Sequence, residues 1–228
     1  MAGPVKARGY DGSARRAASA QRRARILTAA RELFLAHGYA GTTMPAVARE
    51  SGVAVDTVYE LVGRKPELFR LLVETAISGQ DAAVPAEERD YVRAIHAEPT
   101  AEGKLALYAG TLPSIHARLA PLVAVLTGAA GAEPGLAELW REIGERRHAN
   151  MGRLAEELVA TGRLRTTPEH AADVIWATNS PELYLLLVAQ RGWTASTYVT
   201  WLTETWVGQL LTPPGDGPVR DEPGDGAA

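Results

Sequence analysis

The sequence predicts an all-α protein in which a small three-helix domain precedes a larger helical bundle. The first observation is that residues of one buried stripe recur at helical spacing, as Ile26, Ala30 and Phe34 do in the first segment. The second is that Ser, Thr or Pro stands before such segments and Gly after them, which is typical of helix starts and stops. We therefore expect helices throughout the chain, the first of them from about Ser19 to His37.

The composition is that of an ordinary globular protein, and it excludes several kinds of chemistry. Of the 228 residues, 46% are hydrophobic and 22% are charged. Cysteine is absent, which excludes disulfides, thiolate metal sites and cysteine catalysis. The N-terminus shows no secretory signal, and no apolar run reaches the length of a membrane span; the best, Leu119 to Ala132, is broken by Pro121. We expect a cytoplasmic protein with no membrane partner.

The net charge of −3 conceals an asymmetry along the chain. Residues 1–70 carry 12 Lys and Arg against 6 Asp and Glu, a net charge of +6, whereas residues 71–228 carry −9. A basic first third on an acidic remainder favours a polyanion as the partner of that first third. We expect residues 1–18 to form a disordered basic arm, which either reaches phosphates or only solubilises the chain.

A short motif in the first third of the chain has the pattern of a helix-turn-helix. Thr42 and Thr43 are good N-cap residues for a short helix. Gly52 follows that helix, at the point where a steep turn needs a positive φ angle. Ala48 is small where a second helix must pass close by, and Val58 supplies an apolar contact for the pair. The same spacing also occurs in ordinary helical hairpins.

The outer face of the second helix of this motif, about residues 55–61, supplies candidate contacts to DNA. Hydroxyl groups of Thr57 and Tyr59 can donate to phosphate oxygens, while Asp56 or Glu60 can accept from a cytosine amino group. The helix contains no Lys or Arg, so phosphate neutralisation must come from its neighbours. The expected DNA-binding residues are Thr42, Thr43, Ala54, Asp56, Thr57, Tyr59, Glu60, Arg64, Lys65, Arg22 and Arg23.

An ordered set of residues between Arg22 and Ile77 extends well beyond this motif. Its members are Phe34, Gly38-Tyr39, Thr42-Thr43, Val47-Ala48, Gly52-Val53, Thr57-Val58-Tyr59, Lys65 and Leu68. The stretch resembles the DNA-binding domain of the TetR family of bacterial transcriptional regulators. The resemblance implies backbone contacts from Thr43, Thr57, Tyr59 and Lys65, and base contacts from the residues around Asp56. Two positions depart from the family, which usually has an aromatic residue at Val62 and often a Ser cap at Arg64.

The predicted domains are a DNA-binding domain at 19–79, a helical ligand-binding and dimerisation domain at 80–212, and a disordered tail at 213–228. Within the larger domain, helices are expected at 87–98, from Thr100 with breaks or kinks at Pro113 and Pro121, and at 134–161, 168–191 and 195–211. The last two carry apolar residues on more than one face and therefore need two partners each. They either form the centre of a large bundle or also bury a face in a second copy, and the resemblance favours a homodimer through them.

The larger domain offers candidate ligand contacts but no recognisable catalytic residues. Glu145 and His148 have the spacing of half a di-iron site, but no second Glu-x-x-His follows, so no metal is expected. Asn179 either bonds a carbonyl left unpaired by Pro181 or contacts a ligand. Nucleophile-elbow, P-loop and dinucleotide motifs are absent, so no cofactor is expected. The candidate pocket residues, each of which also suits a core, are Tyr108, His116, Trp140, His148, Trp176, Asn179 and Tyr184.

These observations predict a dimeric transcriptional regulator that represses by binding a palindromic operator in double-stranded DNA. The two reading helices of the dimer would match successive major grooves, roughly 34–36 Å apart. A small-molecule effector bound in the larger domain would favour a different spacing and release the DNA. Two alternatives stay open: an all-α enzyme that uses a cavity in the larger domain, and a helical protein-interaction module.

Overall fold

Helices make up almost all of the computed structural model, which describes residues 12–79 and 84–213. The N-terminal helices are α1 (Gly12–Gly41), α2 (Met44–Ser51), α3 (Val55–Val62) and α4 (Lys65–Ser78). After a 3₁₀ turn at Ala86–Glu88 come α5 (Asp90–Ala97), α6 (Ala101–Ala129), α7 (Pro134–Ala160), α8 (Pro168–Thr178), α9 (Pro181–Tyr184), a π-helix at Leu185–Gln190 and α10 (Ala195–Leu210). Within the described ranges the only β-type pairing is one isolated bridge, which confirms the predicted all-α class.

The chain divides into two compact units, and the division does not follow a single boundary in the sequence. The first unit contains residues 1–84 and 118–141, and the second contains residues 85–117 and 142–228. The predicted DNA-binding domain therefore lies within the first unit. The predicted larger domain is shared between the two, because α6 and α7 each have one end in either unit.

The first unit is built around an aromatic contact between α1 and α4. Phe34 stacks on Tyr39 with ring centroids 5.7 Å apart, and Phe69 packs edge-on against Phe34 at 4.9 Å. All three rings are buried. Val47 of α2 and Val58 of α3 are fully buried as well, and both helices pack against α1. Apolar packing thus fixes the arrangement of the helix-turn-helix.

The second unit packs α10 against α8 and the first part of α6. Trp206 stacks on Tyr108 with ring centroids 5.7 Å apart, and its indole N–H donates to Thr178 Oγ1 at 2.7 Å. Lys104 is buried in this unit, where its ammonium donates to the last turn of α5 at 2.6 Å and pairs with Glu157 at 2.9 Å. That buried cation therefore has an anionic partner, as burial of a charge requires.

The sequence predicts that Pro113 and Pro121 break or kink this region, and no break occurs, because α6 runs through both. Each proline removes one backbone hydrogen bond. Buried Leu112, Ile115 and Leu119 lie on either side of them and hold the helix in its packed position. In the described part of the chain, α6 alone is long and apolar enough for a membrane span. Its most apolar stretch has a mean hydropathy of 1.2 and is half buried in the protein, as core helices often are.

The helix predicted at 168–191 is interrupted after Thr178. Asn179 and Ser180 leave the helical path, and the Ser180 hydroxyl then caps α9 by accepting from the Leu183 N–H at 3.1 Å. The residue before a proline disfavours helical backbone, which explains the break ahead of Pro181. The chain continues through α9 into the π-helix. The last predicted helix, 195–211, agrees with α10 to within one residue.

The first helix is longer than predicted at both ends. It begins at Gly12, so residues 12–18 of the expected arm form its first turns rather than an irregular segment. It contains a break at Gly38 and then one further turn. The rest of the predicted arm, residues 1–11, lies outside the described residues, as do residues 80–83 and all but the first residue of the predicted tail at 213–228.

Candidate nucleic-acid interface and a buried polar cluster

The turn between α2 and α3 has the geometry that the motif predicts. The Thr43 hydroxyl caps α2 by accepting from the Ala46 N–H at 3.3 Å. Gly52 ends α2 in the left-handed region, with φ 63° and ψ 32°, where a side chain would be strained. The Val53 N–H then bonds Ala48 O at 3.1 Å, which turns the chain directly into α3. The confirmed motif leaves α3 with one buried face and one free face.

The free face of α3 carries the residues that the sequence proposed for base and phosphate contacts. Ala54, Asp56, Tyr59 and Glu60 are exposed, and Thr57 is half-buried. Tyr59 keeps 44% of its surface exposed, which is unusual for so large a ring. The face presents two carboxylates and two hydroxyl groups, so its own chemistry is that of acceptors and neutral donors.

The positively charged residues closest in sequence to this face are Arg64 and Lys65, at the start of α4. Gly63 makes the connection with φ 73°, and a Cβ atom there would lie 2.9 Å from Glu67 Cβ, so only glycine fits. Arg64 is the N-cap of α4 and makes no side-chain capping bond, which leaves the N–H groups of the first turn available. Lys65 follows with its ammonium 4.2 Å from the centroid of the buried Tyr39 ring, a cation–π contact that positions the charge.

These residues line one groove, which we call the α3–α4 groove. It has a volume of about 840 Å³ and is lined by Met44, Tyr59, Gly63, Arg64, Lys65 and Pro66. The first residue of α2 and the first two residues of α4 therefore border the same groove. Helix N-termini carry partial positive charge and free N–H groups, so the arrangement suits a phosphate group. Burial lowers the pKa of Lys65, and the nearby carboxylate of Glu133 opposes that shift.

Among the expected DNA contacts, Thr42 is placed wrongly by the sequence. Its side chain is 1% exposed, and its hydroxyl donates to Gly38 O at 2.9 Å. The residue therefore closes the turn between α1 and α2 and has no surface to offer to a nucleic acid. Arg22 is exposed on α1 and Arg23 is half-buried there, and both lie in the helix that the sequence predicts from about Ser19.

A second group of polar residues lies inside the second unit. Tyr108, Arg147 and Asn179 meet there: the Asn179 amide donates to Tyr108 Oη at 2.6 Å and to Met151 Sδ at 3.1 Å, and its Oδ1 accepts from Arg147. Arg147 also donates to Trp176 O at 3.1 Å. The Asn179 side chain thus bonds three protein groups, and none of these bonds goes to a carbonyl freed by Pro181.

A chain of aromatic rings continues this group. His116 lies 5.3 Å from Tyr184, and Tyr184 lies 5.4 Å from Tyr198, between ring centroids. His116 is 2% exposed and Tyr198 is fully buried. Burial lowers the pKa of His116 to about 3, with the Arg147 charge adding to that effect, so the ring is neutral at neutral pH. We call Tyr108, His116, Arg147, Asn179, Tyr184 and Tyr198 the buried polar cluster.

Three of the candidate pocket residues do not join this cluster. His148 is exposed, and its Nε2 lies 2.8 Å from Asp173 Oδ1. Trp176 is 37% exposed, and its indole N–H donates to Gly144 O at 3.1 Å. Trp140 belongs to the first unit, where it is half-buried. In the described ranges no group of three or more His, Asp or Glu residues is placed to hold a metal.

Two members of the cluster, Arg147 and Tyr198, are absent from the residues that the sequence proposed for a pocket. A signal for Arg147 was present, because it stands four residues after Ile143 and four before Met151, both of which are buried. A charge on such a stripe has to find partners inside the protein. Tyr198 stands four and eight residues before Leu202 and Trp206 on the buried stripe of α10, although the sequence placed it on another face.

Comparison with known proteins places this geometry in context. The combination of an all-α fold, a helix-turn-helix and a free reading helix defines the helix-turn-helix class of proteins. Residues 26–72 match the family model described as bacterial regulatory proteins, tetR family. The family match is thus confined to the N-terminal helices, which include the helix-turn-helix. Comparison with curated protein sequences gives no significant match.

Solved structures with the same fold include several regulators. One is NalD of Pseudomonas aeruginosa, the secondary repressor of the MexAB-OprM multidrug efflux pump, with 20% identity, a TM-score of 0.67 and coverage of 86% of this chain and 99% of NalD. A protein of Mesorhizobium loti assigned to the TetR-family regulators has 21% identity, a TM-score of 0.64 and coverage of 85% and 98%. SmeT in complex with triclosan has 18% identity, a TM-score of 0.60 and coverage of 85% and 93%. At these identities the likeness shows the fold.

Proposed function

We propose that the protein is a sequence-specific DNA-binding transcriptional regulator, and that it represses its target until a small molecule releases it from an operator. The observation that carries this proposal is the α3–α4 groove. Two helix N-termini, Arg64 and Lys65 border that groove beside the free face of α3. A phosphate in the groove would accept from the first turn of α4 while α3 lies in the adjacent major groove.

The distribution of charge assigns different tasks to α3 and α4. Arg64 and Lys65 neutralise backbone phosphates and provide affinity that depends on salt. Asp56 and Glu60 repel phosphates but accept hydrogen bonds from the exocyclic amino group of cytosine. The operator should therefore carry cytosines where these two carboxylates reach the base edges. Tyr59 borders the α3–α4 groove and donates its hydroxyl to a phosphate oxygen.

The regulator acts as a homodimer, through the two C-terminal segments that the sequence predicts at 168–191 and 195–211. Apolar side chains remain at the surface there, with Leu186 49% exposed and Trp176 37% exposed. The π-helix and α8, which carry them, lie in the first of these two segments, so apolar side chains are available there for a two-fold contact. A dimer would place two α3 helices on one face of the duplex.

The helix α6 supplies a route from ligand to DNA. His116 of the buried polar cluster and Arg118 stand two residues apart on α6. The Arg118 guanidinium donates to Ala76 O at 3.0 Å, in the last turn of α4. A ligand that shifts α6 would therefore pull on the helix that carries Lys65. NalD is named as a repressor and SmeT as a triclosan complex, which supports a ligand-released repressor of this fold.

Selection of duplexes from a random DNA pool, followed by gel-shift titration at several salt concentrations, tests the proposal. We expect a palindromic site to be retained, and we expect Lys65→Ala to reduce the slope of log affinity against log salt by about 1 because one phosphate contact is lost. Arg93→Gln, at an exposed arginine of α5, is the matched control and leaves the slope unchanged. Retention of no duplex at low salt would rule out the regulator and favour the protein-interaction module.

A metal analysis of the purified protein distinguishes the enzyme hypothesis from the regulator. The proteins of known structure that share this fold are described as regulators, and the described residues contain no recognised catalytic arrangement. Stoichiometric iron or zinc in the purified protein would nevertheless revive that hypothesis, and it would also contradict the expectation that Glu145 and His148 hold no metal.

A further inference from the structure

The buried polar cluster contains polar atoms that the protein itself leaves without partners. In the described ranges, the buried side-chain nitrogen and oxygen atoms that make no hydrogen bond are Nδ1 and Nε2 of His116 and Oη of Tyr198. The Asn179 backbone is near enough to His116 to raise its pKa slightly, but no bond of normal geometry forms. Buried polar groups are almost always paired, so two such side chains in one cluster point to a partner outside the chain.

Arg147, which is half-buried, has no anionic hydrogen-bond partner among the described residues. All of its hydrogen bonds within the described chain leave from Nη2, and they go to Trp176 O and to the backbone and side chain of Asn179, which are neutral acceptors. Nε and Nη1 have no acceptor there, although a guanidinium carries five N–H donors. Glu182 acts on Arg147 electrostatically but forms no ion pair with it. The buried Lys104, by contrast, is paired with Glu157 at 2.9 Å.

These deficits lie together in space. The rings of His116, Tyr184 and Tyr198 form a chain with centroid separations of 5.3 and 5.4 Å. The charge of Arg147 acts on both ends of that chain, because it lowers the pKa of His116 and of Tyr198. Three kinds of donor therefore occur in one cluster: the Nε and Nη1 groups of a guanidinium, a phenol O–H and an imidazole N–H.

We propose that the buried polar cluster binds a small apolar carboxylate, whose two oxygens accept hydrogen bonds from Arg147, Tyr198 and His116. The inference rests on the proposed function and names the chemical class of its effector. An anionic acceptor fits because an arginine edge receives carboxylates in bidentate geometry. Tyr184 and Tyr108 supply aromatic surface for the apolar part of the molecule. Tyr184 is followed directly by the π-helix, a form that is found mostly as short segments at functional sites.

The first test compares acids with their own amides on the full-length protein without DNA. The probes are benzoate, 2-naphthoate and octanoate, each beside its primary amide, with binding followed by calorimetry and by tryptophan fluorescence. Trp201 lies near Tyr198, and Trp206 stacks on Tyr108, so the fluorescence reports on the cluster. At least one acid should bind about tenfold tighter than its amide, because the carboxylate adds charge-assisted bonds. If no acid binds, or if each binds no better than its amide, the proposal is wrong.

The second test assigns the preference to the cluster. Tyr198→Phe keeps the ring and removes one donor, so it should weaken binding of the acid about tenfold and leave the amide unchanged. Arg147→Gln should abolish the preference for the acid. Arg153→Gln, at an exposed arginine of the same helix, is the matched control and should have no effect. If Arg147→Gln fails to fold, Tyr198→Phe decides alone, and unchanged affinity for the acid in that variant overturns the proposal.

The carboxylate site and the DNA-binding regulator can each be disproved without the other. An operator retained in the gel shift, together with no preference for acids, leaves the regulator in place and removes the carboxylate site. An acid that binds through Tyr198 to a protein that retains no duplex leaves the site in place and removes the regulator. Release of the operator by the acid that binds, at concentrations near its Kd, supports both.

Discussion

The two compact units differ in whether all of their buried polar groups are paired. In the first unit, the buried hydroxyls of Thr42 and Ser51 donate to backbone carbonyls of Gly38 and Ala48 at 2.9 and 3.2 Å. In the second unit, His116 and Tyr198 are equally buried, and their polar side-chain atoms have no hydrogen-bond partner among the described residues. The proposed DNA contacts lie on the surface of the first unit, and the proposed ligand contacts lie inside the second.

This difference has consequences for stability. Exposed groups such as Tyr59 and Arg64 are hydrated in the free protein, so the α3–α4 groove can be preformed without loss of folding free energy. A buried unpaired hydroxyl or imidazole instead destabilises the free protein by about 1–3 kcal/mol. Such a loss persists where a function needs the group, since natural proteins trade stability for binding sites. The second unit should therefore be the one that substitutions can stabilise.

The largest effect is expected in the first unit, where stability depends on packing. Phe69 is fully buried, and Phe69→Ala removes a ring that contacts both Phe34 and Tyr39. The free energy of unfolding should fall by about 3–5 kcal/mol, as measured by urea titration. Leu35→Ala, at a side chain 41% exposed on α1, is the control and should cost far less. Equal effects from both substitutions would show that the aromatic contact is not the basis of this unit.

A smaller effect is expected from acid, and it arises in the second unit. Burial lowers the pKa of His116 to about 3, against an ordinary value near 6.5 in the unfolded chain. Below pH 6.5 the His116 imidazole is therefore protonated in the unfolded state but not in the folded state. The free energy of unfolding falls as the pH is lowered from there to about pH 3. Between pH 6.5 and pH 5 the loss from this residue amounts to about 2 kcal/mol.

His116→Leu should remove this part of the acid sensitivity, which urea titrations at pH 7 and pH 5 would measure. His37→Gln, at an exposed histidine of the first unit, should keep the dependence of the parent protein. An unchanged pH dependence in His116→Leu would mean that His116 is protonated while folded, and the contrast between the two units would then lose one of its two supports.

Local patterns in the sequence predict the first unit well. The spacing from Ala48 through Gly52 to Val58 involves residues within a few turns of each other, and it specifies the helix-turn-helix that the structure contains. Thr42 and Thr43 show the limit of such reasoning. Both suit a helix start, but only the fold shows that Thr43 caps α2 while Thr42 is buried against Gly38.

Long-range packing explains what the sequence could not predict in the second unit. Pro113 and Pro121 are local signals for a break, and the burial of their neighbours on α6 outweighs them. Asn179 bonds Tyr108, which is 71 residues away, and no local pattern gives that pairing. The candidates at 108, 116 and 184 do lie in the cluster, because aromatic rings on α6 and α9 tend to be buried, and their role as pocket residues stays a prediction.

The smallest effect gives the most direct comparison of the two units, because it removes one buried hydroxyl from each. Tyr198→Phe deletes an oxygen that has no partner, so the free energy of unfolding should rise by about 1 kcal/mol. Thr42→Val deletes a hydroxyl that donates to Gly38 O, so the free energy of unfolding should fall by about 1 kcal/mol. Urea titration of both variants beside the parent protein measures the two signs.

Changes of opposite sign in the free energy of unfolding would mean that the buried hydroxyl of the first unit stabilises the fold. They would also mean that the buried hydroxyl of the second unit is unpaired and available to a ligand. A loss of stability in Tyr198→Phe would show that the hydroxyl has a partner in solution, and the case for a carboxylate would weaken accordingly. Stabilisation by Tyr198→Phe together with weaker binding of the acid probe would be the trade of stability for binding that the buried polar cluster implies.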